Sequence, residues 1–230
     1  MRIILNPKYE HLREYLTHLE EHFEKDGKEI HRDRNVLRVL RIEGLTICVK
    51  RYAPPSLTGS LAQKLYKTPK GKKAYFNPLH LRERGIESPE PIAFVKYNKG
   101  LLRTTTYFVC LYSHYRFNMS DVMTLDPEER DCLIKHFGRF AARLHQKGFL
   151  HRDFTSSNIL YDIIDGKYRF TLIDTNSLKS GRPLSIEKGC QNLGRLTGDD
   201  DFIEKLATAY AEVRGFDRKK CLELINKARR

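Results

Sequence analysis

The segment that says most about the fold reads His151-Arg152-Asp153-Phe154-Thr155-Ser156-Ser157-Asn158-Ile159-Leu160, and it is followed by Leu172-Ile173-Asp174. Asp153 is thus followed five positions later by Asn158 and then by a second aspartate, Asp174. Asp165-Gly166 lies between Asn158 and Asp174, and Asp-Gly between two β-rich runs is a strong hairpin signal. We therefore predict a β-hairpin with Asn158 at its entrance and Asp174 at its exit.

These three side chains suit phosphoryl transfer from ATP. The carboxylate of Asp153 can accept the hydroxyl proton of an acceptor. Mg²⁺ prefers oxygen ligands, which Asn158 and Asp174 can both supply. The sequence predicts Asp153 as the catalytic base, Asn158 and Asp174 as metal and cofactor ligands, and ATP and Mg²⁺ as cofactors. The alternative is a surface loop at residues 151–153 and a helix cap at Asp174.

The net charge of the chain indicates which classes of partner it can bind. Lysine and arginine outnumber acidic residues 42 to 29, which gives a net charge of +13. Such a charge favours nucleic acid, anionic lipid or a phosphorylated substrate. No helix-turn-helix, zinc-finger or RNP pattern is present, so we expect no nucleic-acid partner. The apolar fraction of 40% is sufficient for a hydrophobic core.

The cysteines and apolar runs indicate a cytoplasmic setting. The five cysteines are scattered without a C-x-x-C pair, which suggests neither a zinc site nor a disulfide framework. Cys48 and Cys110 lie in apolar runs and are predicted to be reduced core residues. The run at Met1–Pro7 is too short for a signal peptide. The longest apolar run, Tyr107–Tyr112, fits a strand rather than a membrane span.

The first half of the chain predicts a small sheet with helices. Asn6-Pro7 can cap an amphipathic helix. Residues 30–42 and 45–52 predict two antiparallel strands around a turn at Glu43-Gly44, and residues 91–95 and 105–111 predict two more.

The second half is predicted to be mainly helical. Asp126-Pro127 begins a long helix that Gly148 ends, and residues 200–230 predict two short helices broken near Gly215. We therefore predict an α+β, bilobal architecture. A β-rich N-terminal lobe spans residues 1–112, and a shortened helical C-terminal lobe spans residues 113–230.

Longer stretches resemble a known family. The sequence resembles the protein-kinase-like fold and, more closely, the bacterial lipopolysaccharide kinases of the Kdo/WaaP family. The segments that carry the resemblance are Arg34-Asn35, Leu45–Lys50, Gly85–Ala93, Leu144–Asp153 and Ala209–Phe216.

The resemblance implies roles for residues in the first half. Lys50 matches the lysine that binds the α- and β-phosphates of ATP, and Tyr107–Tyr112 matches the strand that leads to the adenine-binding hinge. No G-x-G-x-x-G motif occurs between residues 28 and 50, so the phosphates would be covered by a loop of other chemistry, for which His31, Arg32, Arg34 and Asn35 are available. Arg34 and Asn35 are the predicted cofactor-binding residues among them.

The sequence departs from the family pattern at two further places. Phe76 stands where related proteins carry the glutamate that pairs with the lysine. Because Pro78 follows shortly after, we expect the helix to begin at Pro78. Asp174-Thr175-Asn176 replaces the Asp-Phe-Gly of protein kinases.

The resemblance implies a phosphotransferase with an alcohol acceptor, a Kdo sugar of the lipopolysaccharide inner core. Only 56 residues follow Asp174, too few for the peptide-binding helices of a protein kinase. The lysine-rich segment at residues 64–73 could contact the anionic inner face of the inner membrane, where the glycolipid precursor lies. The alternatives are a soluble small-molecule kinase of the aminoglycoside or choline type and a pseudokinase with a binding role.

Overall fold

The computed structural model describes residues 1–53, 70–99 and 103–229. The chain divides into two compact units. The first unit comprises Met1–Glu83 and Pro89–His114, and the second comprises Arg84–Ser88 and Tyr115–Arg230. Residues 64–69 of the predicted lysine-rich segment lie outside the described residues.

A six-stranded antiparallel sheet forms the first unit, with the strand order β1-β5-β6-β4-β3-β2. Its strands are β1 (Arg2–Leu5), β2 (Lys28–Arg32), β3 (Val36–Ile42), β4 (Leu45–Tyr52), β5 (Pro91–Lys99) and β6 (Arg103–Leu111). Glu43 and Gly44 close the β3–β4 hairpin, and their φ angles are 48° and 78°. A two-residue turn with both φ angles positive matches the twist of the strands it joins, so the predicted turn is confirmed.

The prediction of one strand over residues 30–42 is wrong. A turn at Asp33–Asn35 divides this region into β2 and β3, and the Asp33 amide donates to the Asn35 carbonyl at 3.1 Å. The Asn35 side chain accepts a hydrogen bond from the Ala53 amide at 3.2 Å. Aspartate and asparagine form such local bonds readily, and this turn chemistry interrupts the run of β-branched residues.

The predicted N-terminal helix is present but broken. Asn6 caps it by accepting from the Lys8 amide at 3.1 Å. The residues then form a 3-10 segment (Pro7–Leu12), α1 (Arg13–Thr17) and α2 (Leu19–Lys25). The break lies at His18, whose φ and ψ are −102° and 17°. The apolar stripe is buried as predicted, with Leu12, Leu16, Leu19 and Phe23 at most 1% exposed.

The helix predicted to begin at Pro78 already includes Lys70, so this prediction is wrong. Helix α3 spans Lys70–Glu83 and contains Pro78 in its interior. A proline there removes one main-chain donor and costs about 3 kcal/mol. The helix nevertheless buries Gly71, Ala74, Tyr75, Pro78 and Leu81 along one face. Burial of this face, including the proline ring, offsets the lost hydrogen bond.

The second unit is mainly helical. Its helices are α4 (Pro127–Gln146), α5 (Ile186–Leu193), α6 (Asp200–Arg214) and α7 (Arg218–Arg229). Its strands are β7 (Phe117–Asn118), β8 (Phe149–His151), β9 (Ile159–Ile164), β10 (Lys167–Leu172) and β11 (Leu178–Ser180). They form a three-stranded sheet of order β10-β9-β7 and the pair β11-β8. Short 3-10 turns span Met119–Thr124, Ser156–Asn158 and Thr175–Ser177.

The predicted helix ends in this unit are confirmed. Asp126 caps α4 by accepting from the Glu129 amide at 3.2 Å, and Pro127 is its first helical residue. The chain leaves α4 through Gly148, and Gly215 separates α6 from α7, both with positive φ. Helix α4 therefore delivers the chain directly to β8 and the loop that begins at His151. The predicted α+β class, with a β-rich first part and a mainly helical second part, is confirmed.

Candidate active site

The loop after β8 brings Asp153 and Asn158 into contact. The Asn158 side-chain nitrogen Nδ2 donates to the Asp153 carbonyl at 3.0 Å and to the Asp153 carboxylate oxygen Oδ2 at 3.2 Å. It also lies 3.1 Å from the hydroxyl of Thr155. Phe154 between them is fully buried and stacks on Phe137 of α4. The buried ring anchors the loop while the Asp153 side chain stays exposed.

The β9–β10 hairpin places Asp174 beside the same loop. Asp165 and Gly166 close the hairpin with φ angles of 52° and 68°. At its open end, the Ile173 amide donates to the Asn158 carbonyl at 3.0 Å. Asp174 is the next residue, so the hairpin holds Asn158 and Asp174 at its two feet, as the sequence predicts.

Asp174 adopts an uncommon backbone conformation. Its φ and ψ are 51° and 47°, in the left-handed region that aspartate tolerates better than most residues. The Asn176 side chain donates to the Asp174 carboxylate oxygen Oδ1. The chain therefore leaves the strand sharply at Asp174, and the carboxylate is oriented by a neighbouring amide.

His151 connects the two segments that lead to Asp153 and Asp174. Its ring nitrogen Nε2 lies 3.3 Å from the carbonyl of Ile173. Because a carbonyl only accepts, Nε2 carries the proton of this hydrogen bond. Burial lowers the pKa of His151, which favours the neutral ring. His151 thus links the loop of Asp153 to the residue before Asp174.

Asn158 and Asp174 fit a magnesium ion by the chemistry of their donor atoms. The amide nitrogen of Asn158 is used in bonds to Asp153 and Thr155, which leaves its amide oxygen for a cation. Within residues 1–53, 70–99 and 103–229, no group of three or more His, Cys, Asp or Glu side chains could hold a metal. An ion here would take two side-chain oxygens and complete its shell with phosphate oxygens and water, as Mg²⁺ usually does.

The predicted nucleotide-binding residues of the first unit lie on its sheet and on one turn. Lys50 is half-buried on β4, opposite Leu37 of β3 and Phe108 of β6, and its ammonium lies 5.4 Å from the ring centre of Tyr52. Arg34 is exposed on the β2–β3 turn and lines an open cavity of about 610 Å³. Asn35 lies beside it, and its side chain accepts a hydrogen bond from the Ala53 amide.

Helix α3 carries Phe76 at the position that the resemblance assigns to a glutamate. Phe76 is half-buried and packs edge-on against Tyr75. Lys72 lies 5.9 Å above its ring. Glu83, at the helix end, is the single acidic residue within Lys70–Glu83. The expected glutamate is thus replaced by an aromatic residue.

The sequence did not reveal Asn192, which contacts His151 at the end of β8. Its side-chain nitrogen donates to the His151 carbonyl at 2.9 Å across 41 residues of sequence. Asn192 lies on α5 and is only 2% exposed. No local spacing could signal a contact between residues so distant in sequence. An asparagine within an apolar helix face was the one available hint.

Solved structures share this fold. A structure described as WaaP in complex with acyl carrier protein matches with a TM-score of 0.63 at 15% identity, over 99% of this chain and 97% of that chain. A crystal structure of WbdD matches with a TM-score of 0.51 at 14% identity, over 88% of this chain and 45% of that chain. A search of curated protein sequences found no match. No helix in the described part of the chain has the length and apolar character needed to cross a bilayer.

A family model matches more than half of the chain. The model describes the lipopolysaccharide kinase (Kdo/WaaP) family and matches residues 76–197 of the 230. This range includes residues 76–83 of α3, strands β5 and β6, and the whole segment from α4 through the loop after β8 and the β9–β10 hairpin. The chain therefore belongs to the lipopolysaccharide kinase (Kdo/WaaP) family and has its protein-kinase-like fold.

Proposed function

We propose that this protein is an ATP-dependent kinase that phosphorylates a hydroxyl of a Kdo sugar in the lipopolysaccharide inner core. Family membership supports a phosphotransferase of lipopolysaccharide sugars. The proposal adds ATP as the phosphate donor, Mg²⁺ as the cofactor and Kdo as the acceptor sugar. The observation that carries it is the hydrogen bond of Asn158 to the Asp153 carboxylate, made at the open end of the hairpin that presents Asp174.

In this proposal, Asp153 is the catalytic base. Its exposed carboxylate accepts the proton of the sugar hydroxyl as the sugar oxygen bonds to the γ-phosphorus and the bond from that phosphorus to ADP breaks. The amide of Asn158 holds the carboxylate in position for this transfer. A bound Mg²⁺ would supply positive charge against the phosphates, held by the oxygens of Asn158 and Asp174.

The first unit would bind the nucleotide. Lys50 would neutralise the α- and β-phosphates with its ammonium group. Arg34 would reach the phosphates from the β2–β3 turn, and Asn35 would fix the shape of that turn through its bond to Ala53. An arginine-bearing turn could replace a glycine-rich loop here because the guanidinium supplies hydrogen-bond donors in place of backbone amides and adds a positive charge.

The acceptor would be a lipid-linked precursor at the inner face of the inner membrane. The net charge of +13 supports contact with an anionic surface, where each nearby basic residue contributes about 1 kcal/mol. Lys70 and Lys73 of α3 are exposed and could contribute. The protein would then work from the cytoplasm, where ATP is present, as a peripheral enzyme.

The test is transfer of label from γ-labelled ATP with Mg²⁺ to a purified lipid-linked Kdo acceptor. We expect label in the glycolipid with the wild type and with the hairpin-tip control Asp165→Asn. Asp153→Asn should lose about 10³-fold or more in rate. Label only in free alcohols such as choline or an aminoglycoside would instead support the small-molecule kinase. Nucleotide binding without any transfer would support the pseudokinase, a reading that Phe76 in α3 favours.

A further inference from the structure

A chain of hydrogen-bonded polar side chains, most of them buried, leads to His151 in the second unit. We call it the Asn192 chain, and its members are Arg214, Tyr210, His145, Asn192 and the carbonyl of His151. It joins helices α4, α5 and α6 to strand β8. His145 and Tyr210 are fully buried, and Asn192 is 2% exposed.

The distances define four consecutive hydrogen bonds. Arg214 lies 2.8 Å from the Tyr210 hydroxyl, which lies 3.0 Å from His145 Nδ1. His145 Nε2 lies 3.1 Å from Asn192 Oδ1, and Asn192 Nδ2 lies 2.9 Å from the His151 carbonyl.

The chemistry of the groups gives this chain one direction. The His151 carbonyl only accepts, so the Asn192 amide nitrogen donates to it and the Asn192 oxygen faces His145. His145 Nε2 must then carry a proton. In the neutral ring Nδ1 accepts a hydrogen bond, and the Tyr210 hydroxyl donates it with its single proton. The Tyr210 oxygen in turn accepts from the Arg214 guanidinium, which is always a donor.

Burial keeps each group in the required protonation state. It lowers the pKa of His145 to about 4, so the ring is neutral at neutral pH. It also raises the pKa of Tyr210, so the phenol keeps its proton. The donors and acceptors of the Asn192 chain are therefore all matched without any charge on His145.

Gly189 of α5 provides an independent indication that this arrangement is built into the fold. A side-chain carbon at Gly189 would overlap the Tyr210 hydroxyl and would lie 3.2 Å from His145 Nδ1. Only glycine leaves room for Tyr210 to reach His145. The helix that carries Asn192 thus also makes space for the next hydrogen bond of the chain.

The Asn192 chain ends at His151, two residues before the proposed base, Asp153. His151 is followed by Arg152 and then Asp153, and the ring of His151 binds the carbonyl of Ile173, next to Asp174. We propose that Asn192 is a positioning residue that fixes the His151 carbonyl and thereby aims Asp153 at the acceptor hydroxyl. This inference rests on the proposed kinase function.

The first test is Asn192→Asp, whose ionised carboxylate keeps the size of the side chain but has no proton to donate to His151. We expect kcat to fall about 10²-fold while KM for ATP changes less than about twofold. Tyr210→Phe, which removes one hydroxyl, should lower kcat by about 10-fold and serves if Asn192→Asp fails to fold. Because both act through one chain, the double variant should be no slower than Asn192→Asp alone.

The matched control is Ile203→Val, a buried substitution on the same helix as Tyr210. It should lower stability and leave kcat unchanged. If Asn192→Asp and Tyr210→Phe lower kcat no more than Ile203→Val does, the positioning role is overturned.

Hydrogen exchange separates this inference from the proposed function. Asn192→Asp should speed amide exchange at residues 151–155 by at least about 10-fold relative to Ile203→Val. Unchanged exchange would overturn the inference even in an active enzyme. If the wild type phosphorylates no acceptor, the proposed function fails, and the exchange comparison still decides whether Asn192 holds the loop.

Discussion

The β3–β4 and β9–β10 hairpins are closed by the same kind of turn but carry their polar residues differently. In both, the two turn residues have positive φ angles, Glu43-Gly44 in one and Asp165-Gly166 in the other. In the first, Lys50 lies within the paired part of β4, in register with Leu37. In the second, the polar residues stand at the open end, where pairing stops.

This difference explains why the sequence predicts the proximity of Asn158 and Asp174 but not the surroundings of Lys50. The feet of the β9–β10 hairpin are brought together by local pairing, so spacing alone predicts that Asn158 and Asp174 meet. A lysine inside a sheet has no such local signal, because its surroundings come from strands far away in sequence.

The largest effect is expected at the foot of the second hairpin. Asp174→Asn should reduce phosphoryl transfer about 10³-fold, because the variant loses the negative charge that would hold Mg²⁺. Asp165→Asn at the tip of the same hairpin is the matched control and should keep near-normal rates, since asparagine tolerates the left-handed φ of 52°. Steady-state rates and far-UV circular dichroism would check both. Equal rates in the two variants would show that Asp174 takes no part in phosphoryl transfer.

In the first hairpin, Lys50→Met should lower kcat/KM for ATP about 10²-fold, because the ammonium that would neutralise the phosphates is lost while a strand-compatible side chain remains. The control is Lys28→Met on the exposed edge strand β2. Nucleotide titration and initial rates would measure the difference. A loss of similar size in both variants would mean that only the overall charge matters.

We expect the loss of stability at low pH that comes from buried histidines to arise in the second unit. Among the described residues, the fully buried histidines are His145 and His151, both in that unit. The pKa of folded His145 is about 4, against 6.5 for an ordinary histidine. Between these pH values the unfolded chain binds a proton that the folded chain does not, so the free energy of unfolding falls as pH falls.

The full effect is on the order of 3 kcal/mol. Urea unfolding between pH 7 and pH 4 should show a shallower decline for His145→Gln than for the wild type. His136→Gln, on the same helix but only half-buried, should change the decline less. An unchanged slope in His145→Gln would show that this ring does not titrate on unfolding.

The smallest effect should be common to the two hairpins. Gly44→Ala and Gly166→Ala should each cost about 1 kcal/mol, because both glycines have positive φ although neither has a neighbour within 4 Å of an added carbon. Gly181→Ala has similar space without positive φ and should be close to neutral. Urea unfolding would compare the three. A clear loss in Gly181→Ala alone would show that φ is not the determinant.

The sequence predicted the elements whose signals are local. The caps at Asn6 and Asp126, the breaks at Gly148 and Gly215 and both hairpin turns follow from residue types at fixed positions. The spacing also predicted that Asp153, Asn158 and Asp174 would gather at one hairpin, although their chemical roles stay predictions.

The features that the sequence missed depend on packing or on distant partners. Pro78 is tolerated inside α3 because the helix face around it is buried, and His18 breaks the N-terminal helix although the apolar spacing continues. Asn192 meets His151 only after α5 has packed in place. Such contacts are properties of the folded core and leave no periodic pattern in the sequence.

The one-way order of the Asn192 chain also bears on where an abstracted proton would go. An amide such as that of Asn192 does not take up and release a proton as a hydroxyl or an imidazole does, so the Asn192 chain does not conduct a proton. Asp153, by contrast, is exposed. A proton collected there would therefore pass outward to water or to the phosphorylated product, and turnover would require no internal exit route.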